Sequence, residues 1–294
     1  MSGHEPGMRS PCPPPPGRSA ELRKRFAEEV RCERPGLSAL CLLVAAEGDG
    51  RLDEAGMDAV EIELDRLAGE LPHRPGSPHA WAVALRDLLG ERYGFHGLPD
   101  DYRRLESSLL HEVLRRRRGL PILLSVVWIE VARRAGAPVY GVALPGHFVV
   151  GFGASEGPGA GQVLADPFDG GRVLTGSDAE LLVAGATGGP LEPSMLAPAG
   201  TLEVVARILN NVRAWAAARP ERTDVGLWAL DLALLLPSRP ARLRYERAQL
   251  LVQRGEFTVG AAELEAYAEI VEPVDPAAAT RIRGEALAAR ALLN

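Results

Sequence analysis

A chain of 294 residues with 46% hydrophobic and 24% charged residues has ordinary globular usage and is long enough for one large domain or two smaller ones. Its net charge of −6 gives no reason to expect nucleic-acid binding. Three cysteines, Cys12, Cys32 and Cys41, lie near one end without CxxC spacing, which excludes a disulfide framework and argues against a zinc site.

Lys24 is the only lysine. The arginine, alanine, glycine and proline load reads as codon bias of a GC-rich genome. The N-terminus shows no apolar h-region, so no secretory signal is expected. The longest apolar runs, Leu40–Ala46 and Pro121–Ile129, fall far short of the ~20 residues of a membrane span. A cytoplasmic location is the default expectation.

Residues 1–19, with the run Pro13–Pro16, have no apolar periodicity and read as a disordered tail. Helical patterning starts at Ser19, a plausible N-cap. Ala20–Arg31 and Leu37–Ala46 read as helices broken at Pro35-Gly36. Cys41 falls in a core run, and Cys32 precedes the break and is expected to be exposed. Gly48-Asp49-Gly50, with Asp53 and Glu54, lacks the spacing of a calcium loop and reads as a plain turn. Asp53 then caps a long helix carrying Met57, Val60, Leu64, Leu67 and Leu71 at helical spacing.

Trp81–Gly90 and Leu105–Arg116 are the next helices. His111 is expected on the surface, and Arg115–Arg118 as a solvated helix end suited to the macrodipole. Gly119-Leu120-Pro121 breaks the chain. Pro121 suits the first turn of a helix over Pro121–Ala135 that is apolar nearly all round and therefore buried. Trp81 and Trp128 fall at core positions.

The pattern then changes to short strands: Val139–Leu144, His147–Phe152, Gln162–Asp166 and Arg172–Thr175. Gly153–Gly161 makes a hairpin loop. A short helix is expected near Ala179–Ala184. From Thr201 the helical period returns to the end. Ala248, Leu251, Gly255-Glu256-Phe257, Ala261 and Leu264 resemble a tetratricopeptide helix–turn–helix closed by Pro273. Pro237, about one ~34-residue repeat upstream, closes an earlier unit. Two degenerate repeats are too few to stand alone, so they are expected to pack on the first domain.

If the hairpin loop is centred near residue 157, His147 lies opposite Asp166, with Cβ atoms about 5 Å apart. A one-residue slip would put the two on opposite faces. A histidine oriented by a carboxylate is the acid–base half of thiol-type acyl transfer. The nucleophile would sit at the start of the helix at Pro121, where the helix N-terminus lowers a thiol's pKa. Gly119, Leu120, Pro121 and Ile122 stand there instead, and Ser125 lies one turn further in. The plainer alternatives are a buried strand histidine bonded to Asp166, and turn roles for Asp166 and Asp169.

The buried helix followed by a Gly-His strand and an Asp-Pro strand resembles the transglutaminase-like core. Arg118-Gly119-Leu120-Pro121-Ile122-Leu123-Leu124-Ser125, Pro145-Gly146-His147-Phe148 and Asp166-Pro167-Phe168-Asp169-Gly170-Gly171 are similar to the SirB-type bacterial family. The similarity covers about residues 37–273. It implies an α+β chain: a transglutaminase-like (papain-like) helical lobe with a small antiparallel sheet, followed by an α-helical, tetratricopeptide-like tail. The expected layout is a tail over 1–19, a transglutaminase-like domain over 20–200 (helical part 20–118, core 119–175) and a helical domain over 201–294.

By that resemblance His147 and Asp166 match the family's catalytic histidine and aspartate. The cysteine position falls at Pro121–Ile122 and holds no cysteine. The expectation is a non-catalytic protein binding a protein or peptide, with Pro121, Ser125, Trp128, Phe148, Phe168 and Asp169 as binding residues. The alternative is an amide hydrolase or transamidase using Cys32, Cys41 or Ser125 against His147. No cofactor and no metal are implied.

Overall fold

The computed structural model describes residues 10–72, 76–153, 161–238 and 240–292. Helix α1 (Pro16–Val30) begins before the expected Ser19, because Pro16 fits the first helical turn. Ser19 is therefore no cap: it is buried and donates to Glu47 Oε1 at 2.6 Å. The preceding proline segment is also held, since Gly50 N–H donates to the Cys12 carbonyl at 2.8 Å. The expected tail is thus corrected over residues 10–19, while residues 1–9 lie outside the described residues.

Helices α2 (Leu37–Gly48) and α3 (Glu54–Gly69) follow, the latter capped by Asp53, which accepts from Gly56 N–H. Helix α4 (Pro78–Leu85) runs into a π-helical turn, Arg86–Arg92, where one helix had been expected. Two 3-10 turns, Pro99–Arg103 and Leu105–Ser108, lead to α5 (Leu110–Arg116).

Helix α6 (Pro121–Arg134) is the axle of the fold, and Pro121 through Ala132 are all buried. The basic run before it is not a solvated helix end. Arg116 and Arg118 reach the fully buried Asp101 at 3.1 and 3.0 Å, and Arg117, at φ 56°, stacks over Tyr93. A buried carboxylate needs such partners, and the run supplies them.

Strands β1 (Val139–Val142), β2 (Val149–Phe152), β3 (Val163–Asp166) and β4 (Arg172–Leu174) make an antiparallel meander. A two-residue strand, β5 (Pro198–Ala199), adds to β1 and gives the order β4-β3-β2-β1-β5. Phe148, Val150, Phe152 and Ala165 join the main core with α6. Val142, Leu144, Val149, Leu164 and Leu174 pack instead with Ala179 and Val183 of α7 (Gly176–Thr187). The sheet is covered on both faces, so β2 is buried at every position.

The rest is helical: α8 (Thr201–Ala217), α9 (Thr223–Ala233), α10 (Arg242–Gln253), α11 (Phe257–Val271) and α12 (Pro276–Ala291). The α10–α11 turn, with Gly255 at φ 85°, is the helix–turn–helix expected from its spacing. Residues of α8 and α9, among them Val205, Ile208, Val225 and Trp228, belong to the main core. The last helices share a smaller core built largely of alanine, including Ala248, Ala261, Ala279 and Ala286.

Candidate functional site

The chain leaves β1 through Pro145-Gly146-His147, with Gly146 at φ 70°. Arg207 on α8 fixes this turn by donating to the Leu144 and His147 carbonyls, each at 2.7 Å. Asp166 ends β3 and is buried. Its Oδ1 accepts from Phe168 N–H at 2.9 Å, and its carbonyl accepts from Gly171 N–H at 2.7 Å. Asp166 is therefore the turn residue that Asp-Pro spacing suggests and also has a second oxygen available.

That second oxygen meets the histidine: His147 Nε2 and Asp166 Oδ2 are 2.9 Å apart. The register differs from the expectation. Val150 pairs with Ala165 and Phe152 with Val163, which sets Val149 across from Asp166. His147 is thus a diagonal neighbour, displaced by two residues and not by one. A two-residue offset keeps the same face, so the side chains still meet. The Phe168 ring stands edge-on to His147, with centroids 6.0 Å apart.

His147 opens onto a cleft of about 600 Å³. One wall is the start of α6, Pro121 and Ile122; Tyr102 and Phe148 lie beside it. The opposite wall is α8, through Glu203, Ala206, Arg207, Asn210 and Asn211. Arg207 lies over the Phe148 ring at 5.6 Å. Burial pulls its pKa below the usual arginine value against the opposing charge of Glu203. Partial burial lifts the Tyr102 phenol, and the charge of Asp166 adds to the lift. Among the described residues His147 Nδ1 has no hydrogen-bond partner, and no cysteine, serine or threonine lines the cleft beside it.

Several expected site residues lie elsewhere. Ser125 is fully buried and donates to the Phe148 carbonyl at 3.3 Å, because α6 turns that face into the core. Trp128 is fully buried and edge-on to Phe95, as its core spacing suggests, and does not line the cleft. Asp169 is exposed and paired with Arg172 at 2.6 Å. Cys41 is buried in α2, and desolvation pushes its thiol pKa far up, which makes it inert. Cys12 and Cys32 are exposed, and neither lines the cleft.

Tyr102 and the α8 residues escaped the motif reading. The only signal for them is that Glu203, Arg207, Asn210 and Asn211 interrupt the helix on the face opposite Val204, Val205, Ile208 and Val212. A second cluster also escaped it. Asp49, His111 and Glu112 offer ligand-type atoms within 4.8 Å of one another. His111, expected on the surface, is mostly buried, with Nε2 3.5 Å from Asp49 Oδ2.

A helical lobe, a small antiparallel sheet carrying the histidine and aspartate, and a helical-repeat end together define a transglutaminase-like protein with a tetratricopeptide region. The transglutaminase-like superfamily profile matches residues 58–210, and a tetratricopeptide repeat profile matches residues 212–294. A UPF0162 protein of Xylella fastidiosa is 32% identical over 80% of this chain and 83% of its own length. Another, from Pseudomonas aeruginosa, is 33% identical over 83% and 80%. The human F-box only protein 21 is 31% identical over 34% of this chain and 17% of its own length. A crystal structure of menin covers 96% of this chain and 69% of its own at 13% identity, with a TM-score of 0.41, too slight a likeness to carry a relationship. The chain belongs to the UPF0162 family of transglutaminase-like proteins.

Proposed function

We propose that this protein is a non-catalytic, SirB-type transglutaminase-like scaffold whose cleft at His147 binds a protein or peptide segment. The observation that carries this reading is the wall facing His147. Pro121 and Ile122 line the cleft at the start of α6, where acyl-transfer chemistry needs a thiol or hydroxyl. Neither residue can attack a carbonyl. Ser125 is committed to the Phe148 carbonyl and Cys41 is sealed in the core. The His147–Asp166 pair is then a vestigial acid–base dyad that shapes and polarises the cleft. The helical repeats behind it supply further surface for a partner. We also place the protein in the cytoplasm. No helix among the described residues is long and apolar enough to cross a membrane.

The test is direct. Purified protein is incubated with a casein substrate and a dansylated amine, and separately with a peptide anilide. No turnover above buffer is expected for wild type or for His147→Ala. Turnover that His147→Ala abolishes would overturn the proposal in favour of an amide hydrolase or transamidase.

A further inference from the structure

The cleft at His147 does not end at Asn210 and Asn211. Tyr102 and Asn211 also border a neighbouring hollow of about 240 Å³, whose wall includes Arg104 and Arg219. Asn210 also borders a third hollow, of about 540 Å³, between α8 and the following helices. Ala214 and Arg219 are common to these last two. The three hollows therefore adjoin along one face of α8. Arg207, Asn210, Asn211, Ala214 and Ala218 stand at positions i, i+3, i+4, i+7 and i+11, which is a single helical stripe. The alanines keep the middle of this stripe low.

The charges along the stripe are uneven. Arginines in this chain commonly carry a carboxylate partner: Arg116 and Arg118 share Asp101, and Arg134 pairs with Glu61, Asp65 and Glu130. Among the described residues Arg104, Arg207 and Arg219 have none. Arg207 donates only to the Leu144 and His147 carbonyls, and Arg219 only to those of Trp215 and Arg103. Among the described residues two carboxylates line the groove: Glu246 is taken by Arg213, and Glu203, one turn before Arg207, is not, while Asp166 behind the cleft is bonded to His147. A chain of net charge −6 thus presents a positive groove. The carboxamide of Asn211 has no hydrogen-bond partner among the described residues, and that of Asn210 accepts only from Arg213. A carboxamide offers both a donor and an acceptor, the complement of a peptide backbone.

We propose that this groove holds an extended acidic peptide. Its backbone lies against Asn210 and Asn211, and its carboxylates face Arg207 at one end and Arg104 and Arg219 at the other. From Arg207 to the end of α8 at Ala217 the helix rises about 15 Å at ~1.5 Å per residue, and Arg219 lies two residues beyond it. An extended peptide of five or six residues, at about 3.3 Å each, spans that length. This inference rests on the non-catalytic binding reading above and adds to it the chemistry of the bound segment.

The experiment selects peptides from a random twelve-residue display library on the full chain and measures the selected sequences by fluorescence anisotropy. Asp/Glu-rich peptides are expected, binding saturably and weakening with added salt. Arg104→Gln, at an exposed position, and Arg219→Gln, at a half-buried one whose side chain also holds the Trp215 and Arg103 carbonyls, are each expected to weaken binding about tenfold, with unchanged circular dichroism. Asn211→Ala is expected to weaken it for all selected sequences alike. Saturable binders that are basic or apolar, or that are indifferent to both arginine variants, would overturn the acidic-peptide assignment while leaving a peptide-binding scaffold. A selection that returns no saturable binder would overturn both.

Discussion

Two histidine–carboxylate clusters stand among the described residues, and they are built from the same side chains to opposite ends. At the sheet, His147 meets Asp166 and lines a cleft, and among the described residues no arginine pairs with the carboxylate, whose other oxygen takes a backbone N–H. At the junction of α2 and α5, His111 meets Asp49 and Glu112, and each carboxylate already carries an arginine. Arg51 reaches Asp49 with two nitrogens at 2.8 and 2.7 Å, and Arg115 reaches Glu112 at 2.7 Å. The remaining nitrogen of His111, Nδ1, is buried with no partner among the described residues. The first arrangement borders a cleft, whereas the second is buried and already paired with arginines. Residue types near one another do not make a site, because what matters is which lone pairs remain and whether anything can reach them.

The open cluster depends on a turn with no slack. A Cβ on Gly90 of the π-helical turn would run into the Gly170 carbonyl, behind Asp166. Gly90→Ala is therefore expected to cost about 3 kcal/mol, since the contact is backbone and cannot swing aside. Gly69→Ala, with open space around it in α3, is expected to be neutral or slightly stabilising. Urea denaturation of both variants checks this, and equal midpoints would remove the idea of a rigid support behind the dyad. The closed cluster is tested by Asp49→Ala, which strips Arg51 and His111 of their acceptor. Part of the Arg51 charge can return to water, so about 2 kcal/mol is expected. A loss near zero would mean that the cluster is not structural.

The difference between the clusters also explains what could be read from the sequence. The buried helix from Pro121, the Gly-His-Phe strand and the Asp-Pro-Phe-Asp-Gly-Gly turn are local signals, and they sufficed for the transglutaminase-like fold and for the meeting of His147 with Asp166. The pairing itself was misplaced by two residues: the ladder through Phe152–Val163 and Val150–Ala165 is centred between residues 157 and 158, one residue beyond the centre that would set His147 opposite Asp166, and moving the centre of an antiparallel hairpin by one residue moves every partner by two. His111 looked like a surface residue because α5 is only seven residues long and carries charges on both sides, and nothing local reveals that Asp49 packs against it. The α8 wall was out of reach for a related reason. Arg207 stands 60 residues from His147 in the chain, and its role comes from packing α8 against the strand turn.

A cysteine placed in the open cleft should behave differently from a cysteine on the surface. Ile122→Cys puts a thiol in the first turn of α6, on the wall facing His147. The helix N-terminus and the imidazole both favour the thiolate. Alkylation by iodoacetamide at pH 6.5 is expected to be about tenfold faster than at the exposed Cys32, equivalent to about 1.4 kcal/mol. His147→Ala in the same chain should remove most of that advantage. Equal rates at the two cysteines would show that the cleft no longer activates a thiol.

The smallest effect separates the clusters by pH. Burial depresses the pKa of His111, and the nearby charges of Glu112 and Asp49 only partly oppose it. The native protein then holds His111 neutral where the unfolded chain, near the ordinary histidine value of about 6.5, takes up a proton. The unfolded state binds more protons, so stability is complete above pH 6.5 and declines as the pH falls toward the lowered folded value. Asp49 behaves differently: burial pushes its pKa up, but the hydrogen bonds and charge of Arg51 together outweigh this and hold the carboxyl below the usual carboxylate range, so its contribution persists until more acidic conditions. Between pH 7.5 and 5.5 the wild type should therefore lose stability relative to His111→Gln, which keeps a donor near Asp49 but does not titrate. Urea midpoints of the two proteins across that range decide the matter, and parallel curves would show that His111 is protonated as readily in the fold as outside it.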